Sequence, residues 1–281
     1  MSSRVVGAAL FLLAGLVPGP LRAAADGPPA SGSFASGGVH FAVGGAFAFP
    51  GKLEMSDQQG IVVTVSNAEI NGDFYGQYYD RPYIMDHFFK SDERVVVHLL
   101  FARDGRYVGL SYYLGPGNGC GFCSAGRTQS NVKLTSGKVV GTLKLRDKDR
   151  QFEITLNAPV YSDNLGTKQG PGGGAAGKAY LAYHAALVKR DAAQVKKLLV
   201  EEQMQAWEAA AEKHALAGLM DQLAEQDPTT ASVTDAFENG ERALVLIAGR
   251  SAEGKVRGEV LLHRQGGAWK VYAGYVRPDT E

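Results

Sequence analysis

Between Asp163 and Lys178 the chain reads DNLGTKQGPGGGAAGK. Glycine lifts the Cβ restriction on φ, and this stretch carries a proline and almost no apolar side chain to bury, so it reads as a flexible tether between two domains. The periodicity differs on its two sides. Before it, short runs rich in Val, Ile, Phe and Tyr alternate with Gly, Asp and Asn turns: VHFAVGGAFAF, IVVTVSNAEI, RVVVHLLFA, YVGLSYYL, NVKLTSG, VVGTLKLR and QFEITLNAPVY. Strands at this spacing predict an antiparallel β-sandwich or barrel over residues 30–163. Asp104-Gly105 has the chemistry of a two-residue hairpin turn, because glycine accepts positive φ, and Ser136-Gly137 follows the same logic.

After the tether the period changes from 2 to 3.6. Tyr180, Tyr183, Leu187 and Val188 share one side of a helix that should stop near Arg190. Asp191 followed by Gln194 reads as a capping box opening a second helix through Val195, Leu198 and Leu199. A third helix is predicted from about Glu202 to Ala224, with Met204, Trp207, Leu216, Leu219, Met220 and Leu223 on its buried side, ended by Asp227-Pro228. Four strands follow, ASVTDAFE, RALVLIAGR, VRGEVLLHR and WKVYAGYV, with Asn239-Gly240 and Gly266-Gly267 at two of the turns. Helices first and a meander second give an α+β class, with helices packed on a curved antiparallel sheet over 178–281 and a linker over 164–177.

The first residues give an address. MSSRVVGAALFLLAGLVPGPLRAAADG places a positive charge at Arg4, an apolar stretch from Val5 to Val17, a Pro-Gly-Pro break and Ala23-Ala24-Ala25, the layout of a secretory signal peptide over 1–25. A membrane span needs roughly 20 consecutive apolar residues, so cleavage near Ala25 is expected, with no stable membrane insertion afterwards and a periplasmic or secreted product. About 255 mature residues exceed the usual size of one domain, in keeping with two. Lys+Arg and Asp+Glu balance at 29 each. Such a chain has no electrostatic footprint for nucleic acid.

AYLAYHAALVKRDAAQVKKLL, together with the strands that end in GEVLLHRQGGAWKVYAGYV, resembles small exported bacterial members of the nuclear transport factor 2-like superfamily over roughly residues 178–281. The resemblance implies a cone of helices cradling a curved sheet, used by some members for acid-base chemistry and by more of them only to bind. The β-rich first domain is similar to exported bacterial modules without an assigned activity.

Cys120 and Cys123, the only cysteines, lie in LGPGNGCGFCSAG. A redox C-x-x-C needs its first thiolate at a helix N-terminus, and the residues that follow read as turn and strand. Two cysteines are also only half of a zinc site. In an oxidising compartment the pair is expected as a disulfide clipping a turn, with thiol redox work through the same cysteines as the alternative. The segment DFYGQYYDRPYIMDHFF crowds Phe74, Tyr75, Tyr78, Tyr79, Tyr83, Phe88 and Phe89 together. Tyr75, Tyr78, Tyr79 and Tyr83 could form a recognition surface for a sugar or peptide, or the segment could simply cover one end of the β domain. Asp80, Asp86 and His87 within it have irregular spacing for a metal, and none is assigned.

In the second domain Tyr180, Tyr183, His184, Trp207, His263, Trp269 and Tyr272 could line a cone, and Tyr183, His184, Trp207 and Trp269 are taken as ligand-binding candidates. Tyr183 and His184 are adjacent, so on a helix they point about 100° apart and cannot both face one cavity squarely. No G-x-S-x-G elbow, H-E-x-x-H, phosphate loop or dinucleotide fingerprint occurs; GPGGGAAGK lacks the hydroxyl residue after Lys178. The residues therefore imply no cofactor and no catalytic set. They predict an exported binding or interaction protein for an unknown small molecule or protein partner, with a small-molecule isomerase, lyase or hydrolase working in the cone as the alternative.

Overall fold

The computed structural model describes residues 28–53, 58–91, 93–114, 118–162 and 164–279. The expected signal peptide lies outside them. The contacts divide the chain into two compact units, with the boundary between Asp163 and Asn164, and the fold is α+β with three antiparallel sheets.

In the N-terminal unit, β1 (Ala30–Ser36), β2 (Val39–Ala42), β8 (Gln129–Ser130), β9 (Lys133–Thr135), β10 (Lys138–Arg146) and β11 (Arg150–Pro159) make one sheet in the order β2-β1-β11-β10-β8, with β9 also on β10. A second sheet runs in sequence order through β3 (Gly45–Lys52), β4 (Gln59–Ser66), β5 (Val96–Ala102), β6 (Tyr107–Tyr113) and β7 (Gly119–Ser124). Both strand orders have two ends, so neither sheet closes into a barrel. Alternation along the strands sends Phe34, Leu143, Ile154 and Leu156 from the first sheet, and Val63, Val65, Val97, Leu99 and Phe101 from the second, into one shared core.

The run VHFAVGGAFAF is two strands in two different sheets. The chain passes between them at Gly44-Gly45, where an added Cβ would stand 2.6 Å from the Asn67 carbonyl oxygen and 2.7 Å from that of Ala68. Only glycine permits that approach. β1 and β7 are strands that a reading of side-chain character misses, because serine and glycine fill them, yet Phe34 in β1 is wholly buried.

Val62, Thr64, Val96, His98 and Leu100 are buried although they alternate with the core residues of β4 and β5, so this sheet is covered on both faces. The cover is the aromatic segment. It comprises α1 (Gly72–Tyr75), capped by Asn71 accepting from the Phe74 N–H at 3.1 Å, then α2 (Arg81–Ile84), capped by Asp80, and a π-helical turn over Met85–Phe89. Buried Arg81 donates from Nη2 to the Gly76 carbonyl (3.0 Å) and the Ser162 carbonyl (2.7 Å), tying the segment to the end of the unit. Tyr161 packs on Phe47 at 5.1 Å and against Gly72, where a Cβ would meet its hydroxyl at 2.4 Å.

In the C-terminal unit the glycine-rich stretch is folded, which corrects its reading as a tether. β12 (Thr167–Lys168) pairs with β13 (Thr230–Asn239), a 3₁₀ turn spans Pro171–Gly173, and α3 (Gly174–Val188) begins inside the stretch. Two of its glycines serve close approach. Gly173, at φ +73°, leaves room for Val233 and Ala236, which a Cβ would meet at 2.8 and 2.9 Å, and a Cβ on Gly177 would stand 2.1 Å from the Gly172 oxygen.

Asp191 caps α4 (Ala192–Leu198), accepting from the Gln194 N–H at 3.0 Å as its capping spacing predicts. The single third helix expected from Glu202 is broken in two, α5 (Met204–Glu212) and α6 (Leu216–Glu225), with His214 at φ 53° between them. Left-handed backbone ends a helix whatever its apolar pattern. The sheet β12-β13-β14 (Arg242–Ser251)-β15 (Gly254–Gln265)-β16 (Ala268–Pro278) completes the unit, and Tyr180, Tyr183, Leu187, Trp207, Val245, Val260, Leu262, Trp269 and Val271 belong to its core. Among the described residues no helix is long and apolar enough to cross a membrane.

Candidate functional site

Tyr180 and His184 are four residues apart on α3 and so share a face. Both reach Asp227, just beyond the end of α6. The Tyr180 hydroxyl donates to Asp227 Oδ1 at 3.2 Å, and His184 Nδ1 donates to Oδ2. The Asp227 side chain is 2 % exposed and that of His184 12 %. Burial drives the Asp227 carboxyl above its usual range; the hydrogen bond and charge of His184 and the Tyr180 hydrogen bond pull it back without reversing the sign. Burial, with the nearby Asp227 charge, also raises both Tyr180 and Tyr183, so these phenols stay protonated donors.

Asp227 stands in the wall of a cavity of about 410 Å³, between the α6–β13 connection, the β14–β15 turn and the end of β16. Its apolar wall includes Ala224, Pro228, Val256 and Val276, and Glu253, Lys255 and Arg277 add charge. The volume suits a small organic molecule.

A second chain of the same three group types stands in the N-terminal unit. Thr64 on β4 and His98 on β5 are register partners, and the Thr64 hydroxyl lies 2.9 Å from His98 Nδ1. His98 Nε2 lies 3.2 Å from Asp86 Oδ1 on the π-helical turn. The neutral ring that satisfies both contacts accepts from Thr64 and donates to Asp86. This has the polarity of an activated hydroxyl, but Thr64 is wholly buried, so no substrate can reach its oxygen. Burial pushes the Asp86 carboxyl up, and the His98 hydrogen bond and charge, with Lys90 and His87, outweigh it and hold the carboxyl below its usual range.

The residues expected to bind ligand are distributed differently. Tyr75 and Tyr78 are buried within the covering segment, Tyr83 stacks on His87 at 4.1 Å, and Tyr79 alone of the four is open, at 67 % exposure. They form no common surface. Tyr183, Trp207 and Trp269 are core residues, and of the expected set in this unit His184 is the member that joins the Asp227 cluster. His263 and Tyr272 stack on each other at 4.1 Å. Asp80 is used as a helix cap and Asp86 by His98; among the described residues no group of three or more His, Cys, Asp or Glu is placed to hold a metal. Cys120 and Cys123 form a disulfide, with Cα atoms 5.9 Å apart, inside strand β7 rather than on a turn.

Asp227, Thr64 and His98 were not singled out by sequence. Asp227 has the local pattern of a helix stop, and nothing near it announces burial. His98 did leave a signal, a titratable residue inside the apolar run VVVHLLF. No protein-family model matches the chain, and no curated protein is similar to it.

Proposed function

We propose that this is an exported binding protein whose small-molecule site is the cavity beside Asp227, in a C-terminal unit built on the nuclear transport factor 2-like plan. The observation that carries the reading is the state of Asp227. Its two oxygens are engaged by Tyr180 and His184 and its side chain is almost sealed, so the cluster holds the cavity wall in shape and offers little to a reacting atom. Catalysis needs the base within hydrogen-bond reach of the proton it takes. Helices that precede a meander support the cone plan, and the residues from Arg4 to Ala25, with the disulfide, support export.

A small-molecule enzyme is the second reading, favoured by one observation: a single carboxyl holds both an imidazole and a phenol, the parts of an acid-base pair.

The dye 8-anilinonaphthalene-1-sulfonate, which brightens in apolar sites, is the probe. Wild-type protein should bind it saturably at one site, and Ala224→Phe, which fills the cavity wall, should abolish that binding while shifting the melting temperature by no more than about 4 °C. Equal binding by the variant overturns the cavity assignment. Native mass spectrometry of protein from its own host should show a co-purified small molecule in the wild type only. N-terminal sequencing of that material should begin near Ala24 to Asp26, and an intact Met1 on protein taken from outside the cytoplasm overturns export.

A further inference from the structure

We propose that the Cys120–Cys123 disulfide is a redox-sensitive register switch for edge strand β7. β7 is the terminal strand of its sheet and pairs with β6 alone. In that pairing Ser124 opposes Gly109 and Cys123 opposes Leu110, but Cys120 opposes Tyr112 and Gly119 opposes Tyr113. Three steps along β7 therefore match two along β6, and one residue of the Gly121-Phe122 pair is extra, bulged opposite Ser111.

The bulge and the disulfide require each other. Residues three apart in a regular strand point to opposite faces, so their sulfurs could not meet. The extra residue returns Cys120 to the side of Cys123, each facing a β6 residue, Tyr112 or Leu110, that packs toward the core. Once the bond is cut, the register loses its covalent pin at Cys120, and the hydrogen bonds of Asn118, from the Leu114 N–H to its carbonyl (2.8 Å) and from its Nδ2 to the Ser36 carbonyl, are what remain to hold this end of the strand. The regular alternative keeps Cys123 against Leu110 and places Phe122 opposite Ser111, Gly121 opposite Tyr112 and Cys120 opposite Tyr113. A one-residue slip reverses every face it passes through, so Cys120 then points away from Cys123.

Three further observations favour two states. The Ser111 hydroxyl, beneath the bulge, is buried and has no hydrogen-bond partner, so the oxidised register carries an unmet polar group. Gly121 has open space at its Cβ position and both cysteines are half-exposed, so a reductant can approach from the strand edge. A bond between residues three apart in sequence also constrains little of the unfolded chain, so the unit survives its loss. The slip is transmitted, because Asn118, next to Gly119, donates from Nδ2 to the Ser36 carbonyl at 3.0 Å and so links this end of β7 to β1.

The step is a thiol–disulfide exchange. A dithiol reductant supplies two electrons and two protons, the Sγ–Sγ bond breaks, Cys120 and Cys123 become thiols, and the reductant leaves as its own disulfide. The full chain, isotope-labelled, is examined by NMR with and without excess dithiothreitol. Oxidised protein should show the cross-strand contact between Tyr112 and Cys120; reduced protein should replace it with Tyr112 to Gly121, and amide exchange at Gly119 to Phe122 should change at least tenfold. Cys120→Ser/Cys123→Ser should show the reduced pattern without reductant. Retention of the Tyr112–Cys120 contact in the reduced chain overturns the proposal. Should the double variant fail to fold, Cys120→Ser alone decides: it should show the Tyr112 to Gly121 contact without reductant, and a retained contact between Tyr112 and position 120 in that chain also overturns the switch.

Discussion

Two clusters of carboxylate, imidazole and hydroxyl stand in this molecule, one per unit, and their carboxyls respond in opposite directions. Asp227 is held above its usual range although it meets both an imidazole and a phenol, and Asp86 is held below, with His98 hydrogen-bonded to it and Lys90 and His87 nearby. The side chain of Asp227 is 2 % exposed and that of Asp86 44 %. Burial opposes the charged carboxylate and nearby cations favour it, and the accessible carboxyl, with Lys90 as well as histidines beside it, is the one in which they win. Access to water and the number of neighbouring cations together set the sign. The hydroxyls differ in the same manner. Tyr180 donates to the carboxylate directly, whereas Thr64 reaches only the far nitrogen of the imidazole, so the first cluster converges on one buried acid and the second is a line running from a sealed hydroxyl to the surface.

Removing the central acid should break the comparison most sharply. Asp227→Ala leaves the Tyr180 hydroxyl and the His184 Nδ1–H without their acceptor in a buried place and should cost about 3 kcal/mol in urea denaturation, whereas Asp227→Asn, which keeps an oxygen for one of them, should cost less than half as much. A loss below about 1 kcal/mol for the alanine variant would show that water replaces the acid and that the cluster is open.

At the other cluster, Thr64→Val keeps the shape but removes the donor to His98, and about 1.5 kcal/mol should be lost. If the loss is near zero, the imidazole turns to another partner and the line from Thr64 to Asp86 has no energetic meaning. Asp86→Asn should cost no more than about 1 kcal/mol, because a pair with one partner in water is screened. Raising the salt concentration should shrink that difference further.

The finest test reads the sign itself. Asp227 keeps its proton in the folded chain at pH values where the unfolded chain has released it. Its contribution therefore falls as pH rises from about 4 toward its raised folded value. Asp86 behaves in the reverse way: its contribution is complete above about pH 4 and is lost as pH falls through its lower folded value. The stability difference between wild type and Asp227→Asn should thus decline from pH 4 to 7, and that between wild type and Asp86→Asn should grow from pH 2.5 to 5. Slopes of the same sign would show that exposure does not separate the two sites.

Much of this fold was legible because it rests on local period and turn chemistry. The α+β class, the four C-terminal strands, the Asp191 cap and the turns at Ser136-Gly137 and Gly266-Gly267 all depend on a few neighbouring residues. At the site, His184 was legible and Asp227 was not, since a residue that ends a helix and a residue buried behind that helix can share one local pattern. The covering segment was legible as a crowd of aromatics, and its inward orientation was not. Tyr78 and Tyr79 are neighbours of one type, yet one is wholly buried and the other two-thirds exposed.

The glycine-rich stretch marks the limit. Composition establishes that its backbone is permitted conformations closed to other residues, and the switch of period at its end divides sheet-rich from helix-first sequence. Whether that permission becomes freedom or close contact depends on what stands opposite. Here Val233, Ala236 and the Gly172 carbonyl, brought up by β13 and the turn before α3, occupy the space where side chains on Gly173 and Gly177 would be, and so these two residues are packed in place. Missing side-chain atoms remove steric limits, but they supply no coordinates; those come from neighbours that are distant in sequence and adjacent only once the sheet has formed.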